Sequence, residues 1–174
     1  MKSHEEHKAR SGESVNIAVL TVSSSRYRKE KEGVQVNDSS GSLAVSSLKN
    51  GGHRVHSSSI IDDDIDMIRR SILRLLQEDR LDGIILVGGT GLSKRDVTVE
   101  AVRPLLEKIV DGFGELFRVE SYKQIGTSAY LSRAVAGVIS GKVVYCLPGS
   151  KDAVSVAMGL IIPEIAHTLS IARS

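Results

Sequence analysis

Short, almost unbroken aliphatic runs alternate along this chain with longer stretches of helical period, and that alternation restricts the fold more than any other feature. The run "VNIAVLTVSS" from Val15 is too continuous for a single apolar face, so it predicts a strand covered on both sides. "HRVHSSSII" is a weaker second strand and "GIILVGG" a third. "AVAGVISG" and "KVVYCLPG" follow late in the chain, with Gly141 at the turn between them. Helices are predicted in the intervals. Asp38 and Ser39 offer N-caps for "SLAVSSLKN", which Gly51 and Gly52 close. "DDDIDMIRRSILRLLQEDR" sets Ile65, Ile68, Ile72 and Leu75 on one stripe, with aspartates in the first turn where the helix dipole favours them. "VTVEAVRPLLEKIV" reads as helical with a kink or break at Pro104, "GFGELFRVESY" as another helix and "SAYLSRA" as a short one. A long helix capped by Ser150 and bent near Pro163 comes last, whereas the mixed charges of "SRYRKEKEGVQVND" predict a solvated loop.

Helices between strands imply crossover connections, hence the α/β class with a mostly parallel sheet covered by helices. The two late strands predict an antiparallel edge. In such sheets ligands bind beyond the carboxyl ends of the strands, and "SSSR", "DDD", "GGTG" and "LPGS" all fall at that end. The expected organisation is a polar, flexible tail over residues 1–14 and one domain over 15–174.

Composition narrows the partners. Lys and Arg number 23 against 21 Asp and Glu, a formal charge of +2, and aromatics are 3% of the chain with no Trp. Neither a basic footprint nor stacking platforms are present for nucleic acid. The opening "MKSHEEHKARSGES" lacks the apolar region of a secretory signal, and no unbroken apolar run approaches a bilayer span. With one cysteine, Cys146, no intrachain disulfide can form, and a small apolar residue in a strand is its simplest role. A cytoplasmic protein without a membrane partner is the expectation.

Among motifs, "GGTG" fails the P-loop spacing, because Ser93 or Lys94 stands where the second Gly is required, and Lys94 also breaks the dinucleotide fingerprint. What it keeps is bare main chain: amides able to approach a phosphate, with the Thr90 hydroxyl beside them. A strand-ending turn is the alternative. "DDDID" fails the EF-hand pattern at Met67 and Leu73. Helix capping accounts for one or two of Asp62, Asp63 and Asp64, and the same role is open to Asp96. Taken together, acids at two strand ends of one crevice can share a divalent cation. His53 and His56 have no partners at metal-site spacing, and no G-x-S-x-G elbow supports Ser hydrolase chemistry.

"AVLTVSSSR", "DSSG", "LVGGTGLSKRDVT", "GFGELFR", "GTSAYLSRAVAG" and "LPGS" occur here in an order that resembles the MoaB/MogA family of molybdenum-cofactor biosynthesis proteins. The likeness runs from about Val15 to the last helix. It implies a three-layer α/β/α sandwich with a Rossmann-like sheet, the molybdopterin-binding fold, assembled as a homotrimer or homohexamer. It also implies Mg²⁺-dependent transfer of AMP from ATP to molybdopterin, with pyrophosphate released and the product passed to a molybdate- or tungstate-inserting enzyme.

The family's two catalytic, metal-holding aspartates match Asp63 and Asp96. A residue that is usually Pro is Asp62 here, so Asp62 and Asp64 stay open as alternatives to Asp63. Gly88, Gly89, Thr90 and Gly91 are expected to cradle phosphate, with Lys94 or Arg95 adding positive charge. Ser24, Ser128, Pro148, Gly149 and Ser150 are expected to line the pterin or nucleotide pocket. The competing function is a molybdopterin-binding or carrier protein that does not use ATP.

Overall fold

The structure is a computed structural model that describes residues 14–174. All of the expected tail except Ser14 lies outside those residues. Six strands form one sheet: β1 (Asn16–Val22), β2 (Arg54–Ile61), β3 (Gly83–Val87), β4 (Lys108–Ile109), β5 (Val135–Ile139) and β6 (Lys142–Leu147), in the spatial order β2-β1-β3-β6-β5-β4. The pairs β1–β2, β1–β3 and β3–β6 are parallel, while β5–β6 and β4–β5 are antiparallel. Helices α1 (Ser24–Lys31), α2 (Ser39–Asn50), α3 (Ile65–Leu76), α4 (Thr98–Val102), α5 (Asp111–Ile125) and α6 (Lys151–Ala172) connect or cover the strands.

Side-chain alternation along β1 divides the core. Ile17 and Val19 face one layer with Ala44 and Leu48 of α2, Phe113 and Phe117 of α5, and Met158, Ile161 and Ile165 of α6. Ala18, Leu20 and Val22 face the other with Ile68, Ile72 and Leu75 of α3 and Val99 and Val102 of α4. This is the expected three-layer sandwich, and it explains why β1 and β3 carry no polar face. Cys146 is buried in β6, as its apolar neighbours predicted. Helix α6, 22 residues long, is apolar enough to cross a bilayer. Here that apolarity is used within the fold, since Val154, Ala157, Met158, Ile161, Ile165, Ala166 and Leu169 are buried in it.

Several expectations hold locally. Asp38 and Ser150 cap α2 and α6 by accepting from the amides of Gly41 and Ala153. The β5–β6 hairpin turns through Ser140 and Gly141, both at positive φ. Three expectations change. The "SRYRKEKE" stretch is not a loop but α1, which buries none of its residues. It holds by the Ser23 cap on the amide of Arg26 and by Arg28, Lys29 and Lys31 at its C-terminal end, where the dipole favours cations. Helix α4 stops at Val102, and Pro104 sits in a 3-10 turn over Arg103–Leu105. The rest of the expected helix instead becomes the edge strand β4, paired with Gly137 and Val138. Finally, "SAYLSRA" is a 3-10 turn over Gly126–Leu131 that gives way to extended chain at Ser132.

Candidate functional site

From β1 the chain crosses to β2 on one side and later to β3 on the other, so the sheet's switch point lies between β1 and β3. A cleft of about 700 Å³ opens there, beyond the carboxyl ends of the strands. Its floor is the turn after β3. Gly88 and Gly89 have φ of +105° and +64°, and a Cβ on Gly88 would strike the carbonyl oxygen of Val22 at the end of β1. The turn is fixed from below by Thr98, whose amide and hydroxyl donate to the carbonyls of Gly89 and Gly88, each at 2.9 Å. The Gly88 amide is itself committed to Leu147 O at 2.9 Å.

Both candidate acids reach this turn. Asp63 is the second residue after β2, and a Cβ on Gly89 would fall 2.7 Å from its Oδ1. A Cβ on Gly91 would fall 2.6 Å from Oδ2 of Asp96. At Gly89 both the backbone angle and the Asp63 carboxylate favour glycine, and at Gly91 the Asp96 carboxylate does. Oδ1 of Asp63 accepts the amide of Val97 at 3.2 Å, and Oδ2 of Asp96 accepts the amide of Ser93 at 3.0 Å. Asp96 does not cap α4, whose N-cap is Val97 without a side-chain bond. Asp64 caps α3 through the amide of Met67, which leaves Asp63 as the acid of the "DDD" run that lines the cleft.

Electrostatics mark Asp63. Burial raises its pKa above the ordinary 3.8, the Val97 amide lowers it, and the negative charges of Asp96, Asp62 and Glu100 raise it again. A carboxylate held among like charges beside a glycine turn favours a cation. Among the described residues no cluster of three or more His, Cys, Asp or Glu is arranged to hold a metal by itself. Two carboxylates fit Mg²⁺, which completes its shell with water and substrate phosphates.

Every residue expected in the site lines this cleft: Asp63, Asp96, Gly88, Gly89, Thr90, Gly91, Ser24, Ser128, Pro148, Gly149 and Ser150. Ser150 also caps α6, and Gly149 abuts the Cα of Gly88 at 3.3 Å from its would-be Cβ. Of the two basic alternatives, Arg95 lines the cleft and Lys94 does not. The sequence reading missed Arg26 and Arg28 on α1, Ser40, which donates to Gly149 O at 2.8 Å, and the wall formed by Phe117, Ser121 and Gln124 of α5. Recognising "SSRYRKEK" as a capped helix at the end of β1 would have placed the two arginines.

Comparison with known proteins identifies the family of the chain. Residues 18–167 match the family described as "Probable molybdopterin binding domain". The chain is 43% identical to the molybdenum cofactor biosynthesis protein B of Bacillus subtilis, over 95% of this chain and 94% of that one. It is 41% identical to a protein of Methanocaldococcus jannaschii named "Probable molybdopterin adenylyltransferase", over 89% and 92% of the two. Among solved structures, the tungsten cofactor synthesizing protein MoaB of Pyrococcus furiosus superposes with a TM-score of 0.82 at 33% identity, covering 93% of this chain and 99% of that one.

Proposed function

Because the chain belongs to the molybdopterin-binding family of molybdenum-cofactor biosynthesis proteins, we propose that it is a molybdopterin adenylyltransferase. An oxygen of molybdopterin's terminal phosphate bonds to the α-phosphorus of ATP. The bond from that phosphorus to the β-phosphate bridge breaks, and pyrophosphate leaves. The observation that carries this reading is the convergence of Asp63 and Asp96 on one glycine turn.

The attacking phosphate is already anionic near neutral pH, so no strong base is needed. The obstacle is repulsion between two anions, and the protein's task is alignment and charge compensation. Asp63 and Asp96 would hold Mg²⁺, which supplies neutralising charge to the phosphates when bound. Arg26, Arg28 and Arg95 stand around the same cleft and supply fixed positive charge. Backbone amides of Gly89, Thr90 and Gly91 in the turn orient phosphate oxygens. Phe117, Ile125 and Leu131 give an apolar wall with Ser121, Gln124 and Ser128 beside it, a mixture suited to a flat, hydrogen-bonding heterocycle.

This reading brings ATP as a substrate beside molybdopterin, Mg²⁺ as the cofactor, a cytoplasmic setting and a downstream metal-inserting enzyme as the consumer of the product. It also brings self-assembly as a trimer or hexamer. Leu116, Val119 and Tyr122 on α5, each more than half exposed, form the apolar face such an assembly would cover. The deciding experiment is incubation with molybdopterin, ATP and Mg²⁺, assayed for adenylyl-molybdopterin and pyrophosphate. Molybdopterin binding without pyrophosphate release would identify a carrier instead.

A further inference from the structure

Arg133 stands behind the glycine turn. It does not line the cleft, yet it hydrogen-bonds three carbonyls of the turn and the loop that follows it. Its Nε donates to Thr90 O at 3.1 Å, and its Nη2 donates to Gly91 O at 2.6 Å and Asp96 O at 3.3 Å. Its other edge pairs with the Glu100 carboxylate on α4, through Nη1 and through Nη2 at 3.2 Å. The guanidinium therefore joins both ends of the Gly91–Asp96 loop to the helix that follows it.

In a trans peptide the C=O and N–H point in opposite directions, and no described peptide is cis. The 96–97 peptide thus has Arg133 on its carbonyl and Asp63 Oδ1 on its amide, at 3.2 Å. Gathering the carbonyls of Thr90 and Gly91 on the Arg133 side likewise turns the amides of Gly91 and Leu92 away from it. We infer that Arg133 is a positioning residue for the transfer: it fixes the loop bearing Asp96 and, through the 96–97 peptide, the carboxylate of Asp63. A guanidinium offers five donors in a rigid fork, whereas an ammonium has no such planar reach to separated carbonyls. Lysine should therefore fail in its place.

The kinetic part of this inference rests on the adenylyltransferase reading; the structural part does not. In Arg133→Ala, amide hydrogen exchange over residues 88–97 should quicken while exchange in β1 and β3 stays as in the parent. Misplacing reacting groups by about 1 Å costs up to about a hundredfold, so kcat should fall about tenfold to a hundredfold with KM for ATP changed less than about threefold. Arg133→Lys should behave like Arg133→Ala, and millimolar guanidinium chloride should partly restore Arg133→Ala alone. Unchanged exchange in the loop, full activity in Arg133→Lys, or a loss carried wholly by KM would each overturn the assignment. If the parent itself forms no adenylyl-molybdopterin, the functional reading fails, and the exchange measurement still decides whether Arg133 clamps the loop.

Discussion

The carboxylate of Asp63 takes a main-chain hydrogen bond from Val97, 34 residues later, and so ties the end of β2 to the start of α4 across the glycine turn. The bond lowers the pKa of Asp63, but burial and the charges of Asp96, Asp62 and Glu100 outweigh it. Between the ordinary value of 3.8 and the raised folded value, the folded state binds more protons than the unfolded one. Stability contributed by protonated Asp63 is complete below 3.8 and is lost as pH rises through the folded value. Asp63→Asn keeps the acceptor for Val97 and removes the charge. In metal-free buffer at pH 7 it should melt above the parent, with the gap closing as pH falls toward 4. A lower Tm than the parent at pH 7 would contradict the direction of this shift.

Asp96→Asn should leave the fold intact, because an amide oxygen can still accept from Ser93. Adenylyl transfer should nevertheless drop by about two orders of magnitude or more, the scale at which removing one electrostatic contributor acts. The check is single-turnover conversion of ATP and molybdopterin with Mg²⁺ at saturating concentrations. Parental rates in that assay would remove Asp96 from the proposed metal-holding pair.

What could be read beforehand followed from periodicity. Continuous apolar runs gave β1, β3 and β6, the Ile68–Ile72–Leu75 stripe gave α3, and the strand–helix order gave the cleft's position. Signals without apolar periodicity were lost. Helix α1 buries nothing, so only its cap and end charges specify it. Strand β4 is two residues long and depends on Gly137, where a Cβ would meet Lys108 O and Leu106. The choice among Asp62, Asp63 and Asp64 depended on which way each side chain turns after β2. Composition is silent on that, and Asp64's cap settles part of it. Arg133 works through carbonyls brought to it by the fold, so no spacing in the chain announces it.

Gly89→Ala tests whether the turn's bareness is required. Its φ is +64°, and a Cβ would press on the hydroxyl of Thr98 and lie 2.7 Å from Asp63 Oδ1. Backbone strain of this kind costs about 1–3 kcal/mol, which urea denaturation would register as a lower midpoint with an unchanged slope. Activity should fall further than stability does, since the displaced groups are Asp63 and the turn itself. Gly33→Ala is the comparison: its φ of +75° strains the chain similarly, but nothing lies within 4 Å of its Cβ. It should lose stability with no change in transfer rate once folded.

The apolar face of α5 bears on assembly. Leu116, Val119 and Tyr122 fall within about 120° of one another around the helix and are 56%, 53% and 59% exposed, and Tyr130 nearby is 75% exposed. Such a stripe on a helix whose other side already packs Phe113 and Phe117 into the core has no further use within one subunit. A charge placed there would have to be desolvated in any interface, while in a monomer it would sit in water at almost no cost. Val119→Asp combined with Tyr122→Glu should therefore leave the isolated subunit folded, with a far-UV circular dichroism spectrum like the parent's. Light scattering coupled to size exclusion should then show a trimer or hexamer for the parent and a single subunit for the variant. Equal masses for the two proteins, whether both assembled or both monomeric, would place the contact elsewhere or remove it.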